Sequence, residues 1–225
     1  MNDKQLVALQ AAKYVKSGML VGLGTGSTAN YFIAELARLQ RDEGLSITTV
    51  ASSTISAQYA QSLNLPIVAL EHISSIDLYV DGADEITPDM TLLKGRGSDL
   101  VKEKLLAKAA TQFIAVADAS KLVTHIGQNF VIPIEVIPFA WQLAKKSLET
   151  IGGVGHLRPN AANDGFWITS HGSYVLDMKF DNSLNASDLN TQINNTPGVV
   201  EHGIFYDLTH TVLIAENGVV SKLSV

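Results

Sequence analysis

Four short polar segments follow apolar runs in the first half of the chain, and each contains residue types that bind anions or move protons. They are "GTGST" (24–28), "SST" (52–54), "DGADE" (81–85) and "DASK" (118–121). Hydroxyls, glycine N–H groups and lysines bind phosphate, whereas carboxylates bind hydroxyls and transfer protons. Strand patterns alternating with helical patterns predict a parallel sheet, in which ligands bind beyond the carboxyl ends of the strands. We therefore expect the four segments to outline one polar crevice.

The glycine loop "VGLGTGSTAN" (21–30) fits neither of the two common nucleotide motifs. A dinucleotide fingerprint needs a glycine where Ser27 stands, and an acid where the second predicted strand ends in Ser52. A Walker P-loop needs a lysine that the loop lacks. Two interpretations remain open. One is a site for a single phosphate or carboxylate, formed by backbone N–H groups and hydroxyls, and the other is a strand-to-helix turn with a Ser or Thr cap.

Two carboxylates of the "DGADE" segment, Asp81 and Asp84, are candidates for chemistry directly after a predicted strand. Asp-Gly is also a common turn pair, so a plain turn is one interpretation. The other is a pair of carboxylates that bind hydroxyls or move protons in the crevice. Metal binding is the weaker alternative, because the 6 histidines are scattered without ligand spacing.

A predicted helix over 100–110 places Glu103 on the same face as Leu100 and Ala107, so we expect Glu103 on the apolar side. The lysines 102, 104 and 108 are expected to project elsewhere. A partly buried carboxylate has a raised pKa and is a better base near neutral pH. The alternative is a glutamate paired with a lysine at the helix edge.

The composition of the 225 residues is that of a globular protein with a net charge of −6 and no cysteine. Disulfide and thiolate chemistry are thereby excluded, and the acidic balance disfavours nucleic acid or an anionic membrane as the main partner. The start, "MNDKQLVALQ", does not read as a signal peptide, and no apolar run approaches the roughly 18 residues that a spanning helix needs. We expect a cytoplasmic protein.

The predicted fold is α/β, with a mostly parallel Rossmann-like sheet, helices on both faces, and a smaller α+β domain. Residues 1–129 and 203–225 are expected to form the sheet domain, which contains the polar crevice, and residues 130–202 the smaller domain, which serves as a lid or in oligomerisation. Asp3 is expected to cap the first helix, and Ile67–Leu70 to form a strand. The run "HTVLIAE" near the end is expected to return to the first sheet.

Taken together, these segments resemble the ribose-5-phosphate isomerase A family. "GLGTGSTA", "YVDGADEI", "KGRG" with "KEK", "ADASK", "PIEVIPFA" and "GGVGHLR" match the family's signatures in order over nearly the whole chain. The resemblance implies an aldose-ketose isomerase of the non-oxidative pentose phosphate branch, acting on ribose 5-phosphate and ribulose 5-phosphate through a cis-enediolate. It further implies a homodimer or homotetramer that works without a metal or an organic cofactor.

The resemblance also assigns residues to the reaction. Glu103 matches the family's proton acceptor, and Asp81, Asp84 and Lys94 are the other residues implied in catalysis. The residues implied in substrate binding are Lys4, Thr25, Gly26, Ser27, Thr28, Gly82, Ala83, Gly95, Arg96, Gly97 and Lys121.

The sequence departs from the family in three places. Arg96 stands in a loop that is usually all glycine and small residues, where it adds an anion contact or hinders the substrate. Lys102 replaces an arginine, and "TSHGS" (169–173) replaces the usual TDNGN. Two other functions are weighed, a related sugar-phosphate hydrolase or deaminase and a non-catalytic sugar-phosphate sensor. The "DGADE" and "KEK" segments argue against the hydrolase, and the first helix leads directly into the first strand, which leaves no room for the sensor's DNA-binding segment.

Overall fold

Strands and helices alternate in the first half of the computed structural model, which describes residues 2–97, 99–181 and 184–224. The strands in chain order are β1 (Leu20–Leu23), β2 (Thr48–Ala51), β3 (Ile76–Gly82), β4 (Glu85–Ile86), β5 (Leu92–Leu93), β6 (Ala110–Asp118), β7 (Ile132–Val136), β8 (Gly153–Leu157), β9 (Tyr174–Phe180), β10 (Val199–His202), β11 (Ile204–Phe205), β12 (Thr211–Glu216) and β13 (Val219–Ser224). The helices are α1 (Asp3–Ala12), α2 (Ser27–Glu43), α3 (Thr54–Ser62), α4 (Leu100–Ala109), α5 (Trp141–Thr150) and α6 (Ala186–Asn194).

The chain divides into two units. Unit 1 comprises residues 1–83, 102–122 and 208–225, and unit 2 comprises residues 84–101 and 123–207. This division differs from the expected domains chiefly in residues 84–101, which belong to unit 2. The reason is strand pairing, because β4 and β5 form a small antiparallel sheet with β11.

Unit 1 is built on a six-stranded sheet in the order β13-β12-β6-β3-β1-β2. All neighbours pair in parallel except the β12–β13 hairpin. The predicted fold class is confirmed, and "HTVLIAE" does return to this sheet as β12. The core joins the apolar faces of α1 and α2 to the sheet, through residues such as Val7, Phe32 and Leu36.

Unit 2 contains a four-stranded antiparallel sheet in the order β10-β7-β9-β8. Its buried face joins alternate residues of β7 and β9 to the apolar sides of α5 and α6. Glu135 of β7 belongs to the other face of this sheet, because its neighbours Ile134 and Val136 point into the core.

Two local predictions are wrong. The cap of α1 is Asn2, whose side chain accepts the N–H of Gln5 at 2.8 Å. The carboxylate of Asp3 instead accepts the N–H groups of Asn217 and Gly218 in the turn between β12 and β13.

Residues Ile67–Leu70 do not form a strand. Only Ile67 makes a bridge, to Thr49, and a 3₁₀ turn begins at Leu70. The N–H of Val68 bonds to Thr49 at the edge of the sheet, after which the chain turns away.

Candidate active site

The glycine loop of unit 1 leads from β1 into α2 with an unusual cap. The capping residue is Gly26, whose φ of 104° is accessible to glycine and strained for other residues. The helix therefore starts without a side-chain cap, which disfavours the interpretation of a Ser- or Thr-capped turn. Ser27 is the first residue of α2, and Thr28 follows it in the first turn. A helix start of this kind presents its N–H groups and positive dipole end to an anion.

Asp81, at the end of β3, holds this loop in place. Its Oδ1 accepts the N–H groups of Thr25 at 2.9 Å and Gly82 at 2.7 Å, and its Oδ2 accepts the hydroxyl of Tyr79 at 2.5 Å. A Cβ on Gly24 would lie 2.1 Å from Asp81 Oδ1. The carboxylate is fully buried and tied to the loop, so its geometry is that of an anchor.

A cluster of hydroxyls joins the end of β1 to the end of β2. The Thr25 hydroxyl lies 3.0 Å from that of Ser52, 2.8 Å from that of Ser53 and 3.2 Å from that of Ser56. Ser56 donates to the carbonyl of Gly24 at 2.7 Å. The predicted convergence of "GTGST", "SST" and Asp81 is therefore confirmed within unit 1.

Glu103 is only 5% exposed on α4, as predicted from the helical spacing. The pKa of Tyr79 is raised well above its usual value, mainly by burial and further by the negative charges of Asp81 and Glu103. The influence of both carboxylates on Tyr79 places them near one buried phenol. The expectation for Lys104 was wrong, because this side chain is 8% exposed and lies on the buried side of the helix.

Two lysines of unit 1, Lys4 and Lys121, act on the carboxylate of Asp118. Lys4 of α1 donates to the Ser27 hydroxyl at 3.1 Å. Lys121 ends a short 3₁₀ turn, residues 119–121, which Asp118 caps through Ser120. Burial alone would raise the pKa of Asp118, but hydrogen bonds from Ser120 and the charges of Lys121 and Lys4 lower it. Both ammonium groups thus act on the same carboxylate.

Most predicted residues of unit 2 lie in the loop after β5, and Asp84 directly precedes β4. Lys94 is 4% exposed, its N–H bonds to the carbonyl of Gly203 at 2.9 Å, and its Nζ lies 5.6 Å from the ring centre of Phe205. Gly95 has a φ of 95°, which explains the glycine at this position. The N–H of Asp84 bonds to Leu93 at 2.8 Å. Ser98, considered with Asp99 as a cap of α4, lies outside the described residues.

Arg96 finds room on the surface of unit 2. Its guanidinium lies 4.1 Å from the ring centre of Phe130, and 3.9 Å separates its Nη1 from Oδ1 of Asp84. The bulky residue is therefore accommodated at the surface, between Phe130 and Asp84.

Glu85 is a functional candidate that the sequence analysis missed. Its buried carboxylate accepts the N–H groups of Gly127 and Asn129, both at 2.6 Å, and of Phe130 at 3.0 Å. Glu85 thereby fixes the loop that carries Phe130, the ring on which Arg96 stacks. The available signal was a third carboxylate in "DGADE", directly before the apolar Ile86.

Three further predicted residues, Gly82, Ala83 and Gly97, adjoin the residues described above. Gly82 and Ala83 follow Asp81 at the end of β3, and Gly97 closes the loop after Arg96. Within residues 2–97, 99–181 and 184–224, no group of three or more His, Cys, Asp or Glu is placed to hold a metal ion. No helix in these ranges is long and apolar enough to span a membrane.

Comparison with known proteins identifies the family to which this arrangement belongs. The profile described as ribose 5-phosphate isomerase A (phosphoriboisomerase A) matches residues 48–218. The chain belongs to the ribose-5-phosphate isomerase A family. A ribose-5-phosphate isomerase A of Thermosynechococcus vestitus is 41% identical over 95% of this chain and 91% of its own length. A second, of Thermococcus kodakarensis, is 41% identical over 94% of this chain and 93% of its own.

Solved structures of the family share the fold. The isomerase A of Methanocaldococcus jannaschii is 38% identical, covers 99% of this chain and 98% of its own, and gives a TM-score of 0.93. A D-ribose-5-phosphate isomerase in complex with phospho-erythronic acid is 37% identical, covers 100% of both chains and gives a TM-score of 0.95.

Proposed function

We propose that this protein interconverts D-ribose 5-phosphate and D-ribulose 5-phosphate, with Glu103 as the base. The observation that carries the proposal is a buried carboxylate, Glu103, in the same unit as an anchored glycine loop and two lysines. The names of the similar proteins support the substrate, and the phospho-erythronic acid in one of them is itself a phosphorylated sugar acid.

The reaction requires one proton to move between neighbouring carbons. In the ring-opened aldose, Glu103 takes the proton from C2, and the electrons of that bond form the C1–C2 double bond of a cis-enediolate. Glu103 then returns the proton to C1, while the hydroxyl proton of O2 passes to O1, which yields the ketose. A positioned base contributes typically 10²–10⁴ in rate.

The phosphate end of the substrate is proposed to bind in unit 1. The N–H groups at the start of α2, the hydroxyls of Thr25, Ser27 and Thr28, and the ammonium groups of Lys4 and Lys121 supply donors and positive charge. Binding energy at this end orients the reacting carbons, which lie at the other end of the substrate.

The roles of the unit 2 residues rest on the family pattern. Lys94 is proposed to stabilise negative charge on the enediolate oxygens, and Asp84 to bind or exchange protons with substrate hydroxyls. For Asp81 we propose a positioning role, since both of its oxygens accept hydrogen bonds from Tyr79 and the glycine loop.

The decisive experiment measures ribulose 5-phosphate formed from ribose 5-phosphate with EDTA present and no added cofactor. Wild type is compared with Glu103→Gln and with Glu71→Gln, an exposed control outside the site. We expect kcat to fall about 10²–10⁴-fold in Glu103→Gln and to stay unchanged in the control. Full activity of Glu103→Gln would remove Glu103 from the role of base. Binding of ribose 5-phosphate by wild type without turnover would favour the sensor.

Phosphate binding is tested separately with Lys4→Met. Loss of a contact made equally in ground and transition states raises KM and leaves kcat unchanged. We expect KM to rise about tenfold, in the range of a charged hydrogen bond. An unchanged KM would contradict the role of Lys4.

The expected oligomer also remains a proposal. Phe139 is 89% exposed and Leu143 76% exposed in unit 2, four residues apart in the chain, so both large apolar side chains are available to another copy. We propose that they contribute to a homodimer or homotetramer of a cytoplasmic enzyme. Sedimentation of wild type and of a Phe139→Ser, Leu143→Ser variant tests this, and a monomeric wild type would contradict it.

A further inference from the structure

Asp3 of α1 has no assigned role in the reaction, yet both of its carboxylate oxygens accept hydrogen bonds from a distant turn. Oδ2 accepts the N–H of Asn217 at 3.1 Å, and Oδ1 accepts the N–H of Gly218 at 2.9 Å, 214 and 215 residues further along the chain. A carboxylate binds N–H donors more strongly than a neutral acceptor does. These two bonds therefore fasten α1 to the turn between β12 and β13.

The β12–β13 turn is well suited to hold a carboxylate. Asn217 and Gly218 have φ of 51° and 80°, and positive φ at both positions is what a two-residue type I′ turn requires. The flanking residues Glu216 and Val219 are paired with each other at the end of the hairpin. Successive N–H groups of a turn form a small anion-binding concavity, and here the carboxylate of Asp3 occupies it.

Lys4, the residue after Asp3, contacts the glycine loop from the same helical turn. Its Nζ donates to the hydroxyl of Ser27 at 3.1 Å, at the start of α2. Consecutive residues of a helix lie about 100° apart around its axis, so Asp3 and Lys4 point in different directions. Two neighbouring side chains thereby connect the β12–β13 turn, α1 and the glycine loop, all within unit 1.

The first turn of α1 depends on polar contacts for its position. The buried residues of the helix all lie beyond that turn, and they are Val7, Ala8, Ala11 and Ala12. A lysine in the first turn is disfavoured by the positive end of the helix dipole, whereas an aspartate there is favoured. Besides Asp3, Asn2 contributes through its Nδ2, which donates to the hydroxyl of Tyr31 at 3.2 Å.

We propose that Asp3 is a positioning residue for the phosphate end of the substrate, because it fastens the turn of α1 from which Lys4 reaches the glycine loop. The proposal rests on the proposed role of Lys4 in phosphate binding. Asp3 itself is not assigned a contact with the substrate. Without the Asp3 bonds the first turn of α1 frays, and Lys4 occupies its binding position for a smaller fraction of the time. Substrate affinity falls by that fraction.

The expected effect on KM has the opposite sign to the effect of charge alone. Asp3 is an acidic residue next to a lysine that is proposed to bind an anion. By Coulomb's law, removal of a negative charge near such a site favours phosphate binding. Charge alone therefore lowers KM in Asp3→Ala and Asp3→Asn, whereas loss of the Lys4 position raises it.

The test measures kcat, KM for ribose 5-phosphate and the competitive inhibition constant of inorganic phosphate. We expect Asp3→Ala to raise KM and the inhibition constant about three- to tenfold, with kcat changed less than about twofold. Asp3→Asn retains one acceptor oxygen, so we expect a smaller rise in the same direction. The matched control is Glu216→Gln, which removes a negative charge from an exposed residue beside the same turn. A rise of equal size in this control would overturn the proposal.

A double-mutant cycle with Lys4→Met determines whether Asp3 acts through Lys4. We expect Asp3→Ala to raise KM in the wild-type background and to have no further effect, within about twofold, in the Lys4→Met background. A general loss of stability would not depend on Lys4 in this way. An equal rise in both backgrounds would overturn the proposal, as would an unchanged or lowered KM in Asp3→Ala alone.

Circular dichroism and the unfolding midpoint establish that each variant is folded. If Asp3→Ala fails to fold, Asp3→Asn and its own cycle with Lys4→Met carry the result. Failure of the proposed function is seen independently, as retained activity in Glu103→Gln or an unchanged KM in Lys4→Met. A raised KM in Lys4→Met together with an unchanged KM in Asp3→Ala overturns the positioning role alone.

Discussion

Tyr79 donates its hydroxyl to Oδ2 of Asp81 at 2.5 Å, at the carboxyl end of β3. The other oxygen of this carboxylate accepts the N–H of Thr25, which lies 56 residues earlier in the chain. One buried phenol therefore fixes the carboxylate that fixes the glycine loop. Tyr79 is itself stacked on Phe113, with ring centres 4.9 Å apart, so the anchor is part of the core of unit 1.

Removal of the Tyr79 hydroxyl tests this connection. We expect Tyr79→Phe to lower the free energy of unfolding by about 1.5–3 kcal/mol, the range for a hydrogen bond to a charged group. KM is expected to rise more than kcat falls, because the loop loses its fixed anion-binding geometry. Urea unfolding and steady-state kinetics measure both. Tyr206→Phe, at a half-exposed site in unit 2, is the control, and equal effects of the two variants would contradict the prediction.

The close approach of Gly24 to Asp81 predicts that even one methyl group is not tolerated there. A Cβ at this position would lie 2.3 Å from Asp81 Cγ and 2.6 Å from Asp81 Cα, and the backbone atom cannot easily move. We expect Gly24→Ala to destabilise the protein by about 1–3 kcal/mol, as overpacking does. Gly97→Ala is the control, since a Cβ there has nothing within 4 Å. Equal unfolding midpoints for the two variants would refute the packing argument.

Arg96 is expected to affect activity only modestly. Its side chain is 53% exposed and its ion pair with Asp84 is long, and exposed pairs of this kind contribute about 0–1 kcal/mol. We expect Arg96→Ala to change kcat/KM by less than about fivefold, with Arg41→Ala as the control for loss of a surface charge. A much larger fall would show that Arg96 binds the substrate anion, and a much larger rise would show that it obstructs the substrate.

The lowered pKa of Asp118 implies that this residue contributes to stability in a pH-dependent way. Hydrogen bonds from Ser120 and the charges of Lys121 and Lys4 outweigh burial and lower its pKa. A lowered pKa in the folded state stabilises the protein above the ordinary pKa and loses this contribution as pH falls through the lowered value. We expect Asp118→Asn to be less stable than wild type by about 0.5–1.5 kcal/mol at pH 7, with the difference lost as pH falls through the lowered pKa of Asp118. A difference that persists at low pH would assign the loss to packing.

Much of the fold followed from local patterns. The spacing of Leu100, Glu103 and Ala107 predicted the buried position of Glu103. Polar segments after apolar runs predicted where the ends of β1, β2 and β3 would meet. These features depend on residues close together in the sequence, or on the common direction of parallel strands.

The exceptions involve partners that the sequence does not pair. Asp3 is a residue type that often caps helices, yet its carboxylate accepts the N–H of Asn217 in a distant turn. Lys104 is a charged residue that the sequence predicted to be exposed, yet it is buried. The tertiary packing around α4 determines which side chains of this helix are buried. The extent of unit 2 likewise depends on β11 pairing with β5, across more than one hundred residues.

The sequence by itself determined which residues are available for chemistry and on which elements they lie. Only the tertiary structure decided how they are used: Asp81 as the anchor of the glycine loop, Glu85 as the acceptor for three N–H groups, and Glu135 as the partner of His171. The physical reason is burial. A carboxylate removed from water must find its donors wherever the fold brings them, and those donors are distant in the chain.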